Sequence, residues 1–424
     1  MQDSALLSAP SRLVAPCGER QHGPVRLLAA ALLALTACRT AAPDPTTARA
    51  EDFAAFDAFV RDSYAYLDAK ATDWERVVAE LAPAARAAPD RTAFLHVLED
   101  ALDQLYDGHC LLNTNADDSW RPVPAELALE TRDGRRLVTA VQRGSRAEEV
   151  GVRLGDELLS RDGVALDVLV AQRRPRFLAH ADPTAEEWAL ASAVAGQHGG
   201  RGEFGVRRDG VELTLRLTTH ARPHAPVEWR RLEDNIGYLA LASFGDERAI
   251  ADVDRVLEEL ADTRALVIDV RSNTGGDTAI ALPILGRFLT ERAQYAWMAR
   301  RDGAGLGPRW PEFVEPRGPW TYTQPVVVLV DRFSVSMAEG FAMALQGLGR
   351  AKLVGTRLAG LGAAIGRVRL PHSRISVQLS TEPVYTLDGR PRDALVPDVV
   401  IDPLAKVEGD PWLAAALEVL APER

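Results

Sequence analysis

Apolar residues recur along this chain in two rhythms. Phe53, Phe56, Val60, Tyr64 and Leu67 follow one another at three- and four-residue spacing, which predicts an amphipathic helix from about Glu51. Leu95, Leu98, Leu102 and Leu105 predict another helix, expected to end in the run YDGH with Gly108 as a left-handed cap residue. His109 then falls just past a helix end, in a loop, where functional side chains concentrate. From about residue 120 the rhythm shortens to strands and turns, punctuated by Gly144, Gly151, Gly155 and Gly163. Between Val227 and Pro403, strands that are apolar throughout alternate with helices. IGYLALASF leads to a helix carrying Ile250, Val253, Val256, Leu257 and Leu260; ALVIDVR leads through SNTGGD to another; VVVLV leads into DRFSVSMAEGFAMAL. Strands without polar alternation predict an α/β sheet covered on both faces.

The N-terminus breaks this pattern. Arg26 precedes an apolar run from Leu27 to Leu35 and then LTAC, ending at Cys38. The run is too short to span a membrane and reads as the core of a signal peptide. LTAC resembles the lipobox of bacterial lipoproteins, which implies lipidation at Cys38 and a location in the bacterial cell envelope, lipid-anchored and facing the periplasm. An ordinary signal peptide with an incidental cysteine is the plainer alternative. The stretch after Cys38, RTAAPDPTTARA, reads as a tether.

Composition narrows the function classes. The chain has 424 residues, 47% hydrophobic and 26% charged, enough for two or three domains with sizeable cores. Its net charge of -11 argues against a nucleic-acid partner, since phosphate binding wants an excess of Lys and Arg. Only Cys17, Cys38 and Cys110 are present, too few for a disulfide framework or a zinc-type cysteine cluster. No metal or cofactor is expected. Cys110 stands beside His109, but a small half-buried residue is the simpler reading of it than a catalytic thiol.

Candidate chemistry gathers where strands of the α/β region meet helices. Ser334 and Ser336 lie at such a junction, and Met337 begins the helix, so backbone N–H groups there point at developing negative charge. Position alone favours the plainer reading, that either serine is only an N-cap. Gly275 and Gly276 end a neighbouring strand and offer unhindered amides, a second possible oxyanion donor or simply a packing turn. His109 is the available imidazole, although most single histidines serve no catalysis.

Longer resemblances weight these choices. RRLVTAVQRGSRAEEVGVRLGDELLSRDGVAL, with GEFGVRRDGVELTLRLTT after it, resembles a PDZ domain in the order of its strands, glycines and short helix. IGYLALASF, ALVIDVRSNTGG, VVVLVDRFSVSMAEGFAMAL, LVGT and DG…VPDVVI resemble, in order and spacing, the tail-specific or C-terminal processing serine proteases, over roughly residues 95–403. That resemblance implies an α/β protease core, a crotonase-like spiral of sheet and helices, with a mainly-β PDZ-like domain and an N-terminal helical segment. It implies a nucleophile three residues before the glutamate of SxxE, here Ser336 before Glu339, and an oxyanion hole from Gly275 and Met337. The processing-protease branch uses a lysine base after the VG strand, but this chain has VGTRLAGLGAAIG there, with Leu361 at the lysine position and Ile365 at the glutamine position. Lys352 lies on the wrong strand. The branch similar to tricorn protease takes a histidine from a loop before the PDZ-like domain, and LYDGHCLL matches that region, making His109 the candidate base. Gly108 replaces the serine of that loop. The acid of that branch aligns near Pro391, where Asp393 and Asp388 are the nearest carboxylates and Asp393 is the candidate orienting acid. The PDZ likeness places AELALE, with Leu127, Ala128 and Leu129, at the peptide-binding loop.

The expected organisation is a signal peptide with lipobox (1–38), a tether (39–50), a helical segment carrying His109 (51–118), a PDZ-like domain (119–220), the serine protease α/β core (225–404) and a C-terminal helix (405–424). The expected function is a periplasmic, lipid-anchored serine endopeptidase acting on unfolded or tail-presented polypeptides. The alternatives are a catalytically inactive relative that binds peptides through its PDZ-like groove, and an acyl transferase or esterase on the same sheet.

Overall fold

The computed structural model describes residues 43–216, 225–406 and 408–422; Cys38 and its signal-like run lie outside them. Three helices come first: α1 (Pro45–Ser63), α2 (Trp74–Ala87) and α3 (Arg91–Asp103). Helix α1 starts inside the stretch expected as a tether. Asp44 caps it by accepting the N–H groups of Thr46 and Thr47, and Pro45 is pre-set for a first helical position. Helix α3 ends before YDGH, with Gln104 as its C-cap. The left-handed residue in that run is Tyr106 (φ 36°), not Gly108. Gly108 is needed for space instead: a Cβ there would stand 2.6 Å from the Val123 carbonyl oxygen and 3.2 Å from Leu361 Cδ2.

Next come β1 (Leu111–Leu112), β2 (Leu127–Arg132), β3 (Arg135–Val141), the short α4 (Arg146–Glu149), β4 (Glu157–Arg161), β5 (Val164–Ala165), α5 (Leu166–Arg173), α6 (Pro183–Ala195), β6 (Glu203–Arg208) and β7 (Val211–Arg216). Strands β2-β3-β4-β6-β7 form an antiparallel sheet in that order, with β5 paired to β4, so β2 is an edge. Its core joins Leu127, Val138, Leu158, Phe204 and Val206 to Leu169 and Val170 of α5 and Ala189 and Val194 of α6.

The remaining elements are β8 (Val227–Leu232), β9 (Ile236–Leu241), α7 (Arg248–Glu259), β10 (Ala265–Asp269), α8 (Thr278–Leu285), β11 (Ala293–Met298), β12 (Arg301–Asp302), β13 (Gly305–Leu306), β14 (Trp310–Val314), β15 (Val326–Val330), α9 (Met337–Gly347), β16 (Ala351–Gly355), β17 (Ala363–Arg369), β18 (Ser376–Tyr385), β19 (Val399–Val400) and α10 (Pro411–Val419). A six-stranded sheet runs β19-β16-β15-β10-β9-β8, parallel except for the β8–β9 pair. The all-apolar strand β15 shows why its sequence lacks alternation. Val326, Val328 and Val330 pack with α7, α8 and α9 on one face, while Val327 and Leu329 pack with Trp412 and Ala416 of α10 on the other. A second antiparallel sheet, β1-β18-β11-β14 with β17 on β18, carries the helices α1–α3 against Val377 and Leu379. Strand β1 pairs with β18, and so the segment holding His109 is tied to the α/β region from far away in sequence. Among the described residues no helix is long and apolar enough to cross a membrane.

Candidate active site

The turn between β15 and α9 separates the two serines sharply. Ser334 is fully buried; its hydroxyl donates to the Val270 carbonyl at 3.0 Å and accepts the Asp331 N–H at 3.1 Å. It is a structural link between adjacent strand ends. Ser336 is half-buried and sits at φ 56°, ψ -110°. A residue with a side chain holds such a left-handed conformation only where its surroundings enforce it, at a cost of about 1–3 kcal/mol. One enforcing contact is Glu339, whose Oε2 accepts the Ser336 N–H at 2.8 Å.

Glu339 also reaches the opposite loop. Its Oε1 accepts the Gly360 N–H at 2.8 Å, and the Leu361 N–H lies 3.2 and 3.1 Å from its two oxygens. Burial pushes this carboxyl up to about 7, against the pull of Arg392 and the three amides. Arg392 completes the clamp by donating to the carbonyls of Leu361, at 2.9 Å from Nε, and Ala363, at 3.1 Å. Leu361, at the position where a lysine was sought, is thus pinned through its backbone beside the serine turn, and its apolar side chain packs toward Gly108.

Gly275 lies against Ser336 as expected, but in a different role. A Cβ on it would stand 2.7 Å from the Val335 carbonyl oxygen, 2.9 Å from Ser336 Cβ and 3.1 Å from the Met337 nitrogen. Only a glycine allows the loop to approach the serine turn this closely, at φ 81°. Its amide, expected as an oxyanion donor, already donates to Asn273 Oδ1 at 2.9 Å. Asn273, fully buried, also donates from Nδ2 to the Leu241 carbonyl and accepts the Val335 N–H on its own carbonyl, both at about the length of an ordinary hydrogen bond. It locks the glycine loop to the serine turn. Next to it, the Ser272 hydroxyl accepts the Arg143 N–H at 2.8 Å, joining the loop to the β2–β7 sheet unit.

His109 is 7% exposed, and its Nδ1 has no hydrogen-bond partner. Burial first, and then Arg392, push the imidazole down to about 4, against Asp107 and the Ala363 carbonyl, which favour the charged form. No hydrogen bond joins it to Ser336 among the described residues. Asp107 is the carboxylate that orients this segment: its Oδ1 accepts the His109 N–H at 2.9 Å and its Oδ2 accepts the Tyr64 hydroxyl at 3.2 Å. Asp393 is placed elsewhere. It is exposed, with its carboxylate 3.3 Å from where a Cβ of Gly362 would lie and its charge felt by Tyr66. The signal for Asp107 was present as the Asp-x-His spacing of an Asx turn. Burial, with Asp107 beside it, pushes the Cys110 thiol well above the ordinary value, which disfavours a thiolate.

A cleft of about 660 Å³ is lined by Tyr66, Lys70, Gly108, Leu361 and Asp393. Leu127, Ala128 and Leu129 belong to edge strand β2 and not to a loop. They line a groove of about 440 Å³ with Val170, Leu190 and Val194. Pro124, Glu187, Ala191, Arg332 and Arg357 line both, so the groove opens into the cleft. Among the described residues no group of three or more His, Cys, Asp or Glu is placed to hold a metal ion.

A strained serine at a strand–helix turn, with a glycine loop packed close against it, is an arrangement that serine-type hydrolases use. Residues 235–401 match the family model described as Peptidase family S41. The chain is 27% identical to the carboxy-terminal processing protease CtpB of Bacillus subtilis over 253 residues, 58% of this chain and 48% of that protein. It is 29% identical to a carboxyl-terminal-processing protease of Synechocystis over 226 residues, 52% of this chain and 48% of that one. The chain thus spans about half the length of these curated relatives. Its fold is similar to those of mature CPAF (TM-score 0.61, 17% identity, 84% of this chain and 92% of that one) and a putative peptidase from Parabacteroides merdae (0.56, 18%, 88% and 96%). A photosystem II D1 C-terminal processing protease has a similar fold too (0.53, 20%, 86% and 95%).

Glu339→Gln offers one acceptor oxygen and turns an N–H donor toward amide N–H groups. Leaving such a buried donor unmatched costs about 1–3 kcal/mol. The urea midpoint of this variant is expected to fall accordingly; an unchanged midpoint would show that the clamp contributes nothing.

Proposed function

We propose that this protein is a serine endopeptidase acting on polypeptides, in which Ser336 attacks the scissile carbonyl and His109 accepts its proton. The observation that carries this reading is the enforced left-handed Ser336, with Gly275 packed closely against its turn. A serine hydroxyl is a poor nucleophile near neutral pH and needs a base. Leu361 cannot take a proton. The buried, unpaired Nδ1 of His109 supports an imidazole waiting for a partner, and a base contact is often looser in an empty site than with substrate bound. The Met337 N–H would donate to the oxyanion. The Gly275 amide would join it only by leaving or sharing Asn273. Asp107 takes the place of Asp393 as the residue that positions the His109 segment. A peptide strand added to edge strand β2, in the PDZ manner, would lead along the groove toward the cleft.

A second reading is a peptide-binding protein without turnover. The absence of a Ser336–His109 hydrogen bond among the described residues favours it. The two are separated by hydrolysis of an unfolded protein substrate. On the protease reading, Ser336→Ala and His109→Ala each abolish cleavage, and the double variant is scarcely worse than either. A base must be neutral to act, and a histidine near 4 is neutral throughout the neutral range. Protonation of His109 is therefore expected to cut kcat/KM only as pH approaches 4, whereas a change near 7 is expected from Glu339 and is absent in Glu339→Gln; a fall centred near 6.5, the unperturbed imidazole value, that survives in Glu339→Gln would contradict the buried base. Cleavage at the wild-type rate by folded His109→Ala would remove His109 from the mechanism.

For location, the proposal is a lipid anchor at Cys38 holding the protein in the bacterial envelope on the periplasmic side, supported by the LTAC motif after an apolar run. Cys38→Ala is expected to move the protein from the membrane fraction to the soluble fraction; unchanged fractionation and processing would reject the anchor.

A further inference from the structure

Asp393 lines the cleft beside the Leu361 loop. The short turn Arg392–Ala394 carries it, and Arg392 fixes that turn by donating to the carbonyls of Leu361 and Ala363. Asp393 Oδ2 lies 3.4 Å, and the Tyr66 hydroxyl 2.5 Å, from the point that a Cβ of Gly362 would occupy. A carboxylate and a phenol therefore flank the residue that follows Leu361. That loop is the one Glu339 ties to the Ser336 N–H, so both groups stand near the reacting turn.

The other charges of the cleft are committed. Glu187 pairs with Arg357 at 2.9 Å. Asp182 accepts the Tyr106 hydroxyl at 2.7 Å and the Thr184 N–H and hydroxyl at 2.8 Å. Asp107 accepts the His109 N–H and the Tyr64 hydroxyl. Among the cations, Lys70 donates to the Tyr106 carbonyl at 3.3 Å, with its ammonium 3.9 Å above the Tyr106 ring. Arg332 donates to the Leu358 carbonyl at 2.9 Å. Among the described residues the Asp393 carboxylate has no hydrogen bond or ion pair, and the Tyr66 hydroxyl has no hydrogen bond. An exposed carboxylate is ordinarily just hydrated. This one is held on a fixed turn inside a cleft of about 660 Å³, next to an aromatic residue. An ammonium or guanidinium placed there gains the Asp393 charge, the Tyr66 oxygen as a second acceptor and contact with a ring; an anion or an apolar group gains none of the first two.

We propose that Asp393, with Tyr66 as one wall, forms a subsite for a lysine or arginine side chain of the bound polypeptide, close to the bond that Ser336 attacks. This rests on the polypeptide-substrate reading above. The test uses the full chain carrying Ser336→Ala, titrated with a fluorescent apolar peptide that has lysine, norleucine or glutamate at its centre. The lysine form is expected to bind about fivefold tighter than the norleucine form, and the glutamate form more weakly than both. Asp393→Asn is expected to erase the lysine advantage. Glu259→Gln, at an exposed position of α7, is expected to leave it intact. Equal affinity of the lysine and norleucine forms overturns the subsite, as does an advantage that survives Asp393→Asn. An advantage that Glu259→Gln lowers as much also overturns it, because the net charge of -11 then accounts for the preference. So does the absence of binding by any form. With Ser336 restored, Asp393→Asn is expected to lower kcat/KM for the lysine peptide and not for the norleucine peptide; an equal loss for both overturns the subsite. Casein hydrolysis by the Ser336 enzyme is scored separately. No cleavage, with the lysine preference present in Ser336→Ala, rejects the peptidase reading and not the subsite.

Discussion

The buried carboxylate of Glu339 ties the Ser336 N–H to the amides of Gly360 and Leu361, and the geometry of the site follows from it. The left-handed serine is stable only while its N–H is held from outside the helix. The loop that passes before it keeps its course only while two of its amides find an acceptor. Arg392 holds the same loop by its carbonyls, so a carboxylate and a guanidinium grip one short segment from opposite sides. Asn273 does for the glycine loop what Glu339 does for the serine turn, at the cost of engaging the Gly275 amide. Strain at Ser336 is thus balanced by buried polar contacts that are individually modest and share partners.

Much of the α/β core could be read from residues such as Val326–Val330, because a strand buried on both faces has no polar alternation to conceal it. The choice of Ser336 over Ser334 came from a family-like spacing, and the structure gives its physical counterpart: Ser334 has spent its hydroxyl on the Val270 carbonyl. Other features were hidden for stated reasons. Gly108 looked like a helix cap, since a glycine after a helix usually is one, but close packing on Val123 and Leu361 requires it. Asp393 rests on a motif alignment, and the structure adds a second carboxylate beside the histidine, Asp107, which accepts the His109 backbone N–H in a local turn two residues earlier. The engaged amide of Gly275 depends on the side-chain rotamer of Asn273, which no spacing rule reports. Helix α1 reached into the tether because Asp44 and Pro45 form a cap there, a signal outweighed by the low hydrophobicity of the stretch.

Two surfaces complete the account. The groove along β2 offers an unpaired strand edge, and the cleft beyond it approaches the Leu361 loop; Arg357, paired with Glu187 of α6 at 2.9 Å, stands at their junction. The Arg143–Ser272 hydrogen bond joins the unit that bears the groove to the loop that faces the serine. The groove and the serine turn are therefore connected by short covalent and hydrogen-bonded paths, with the charged lining of the cleft between them.

The central claim is that Ser336, and no other serine, is an activated nucleophile. Incubating the folded protein with a fluorophosphonate probe, then measuring intact mass and locating the adduct by peptide mapping, tests it directly. The account predicts a single adduct on Ser336 that is lost in Ser336→Ala. An unmodified protein, or an adduct on Ser334 or elsewhere, would contradict it.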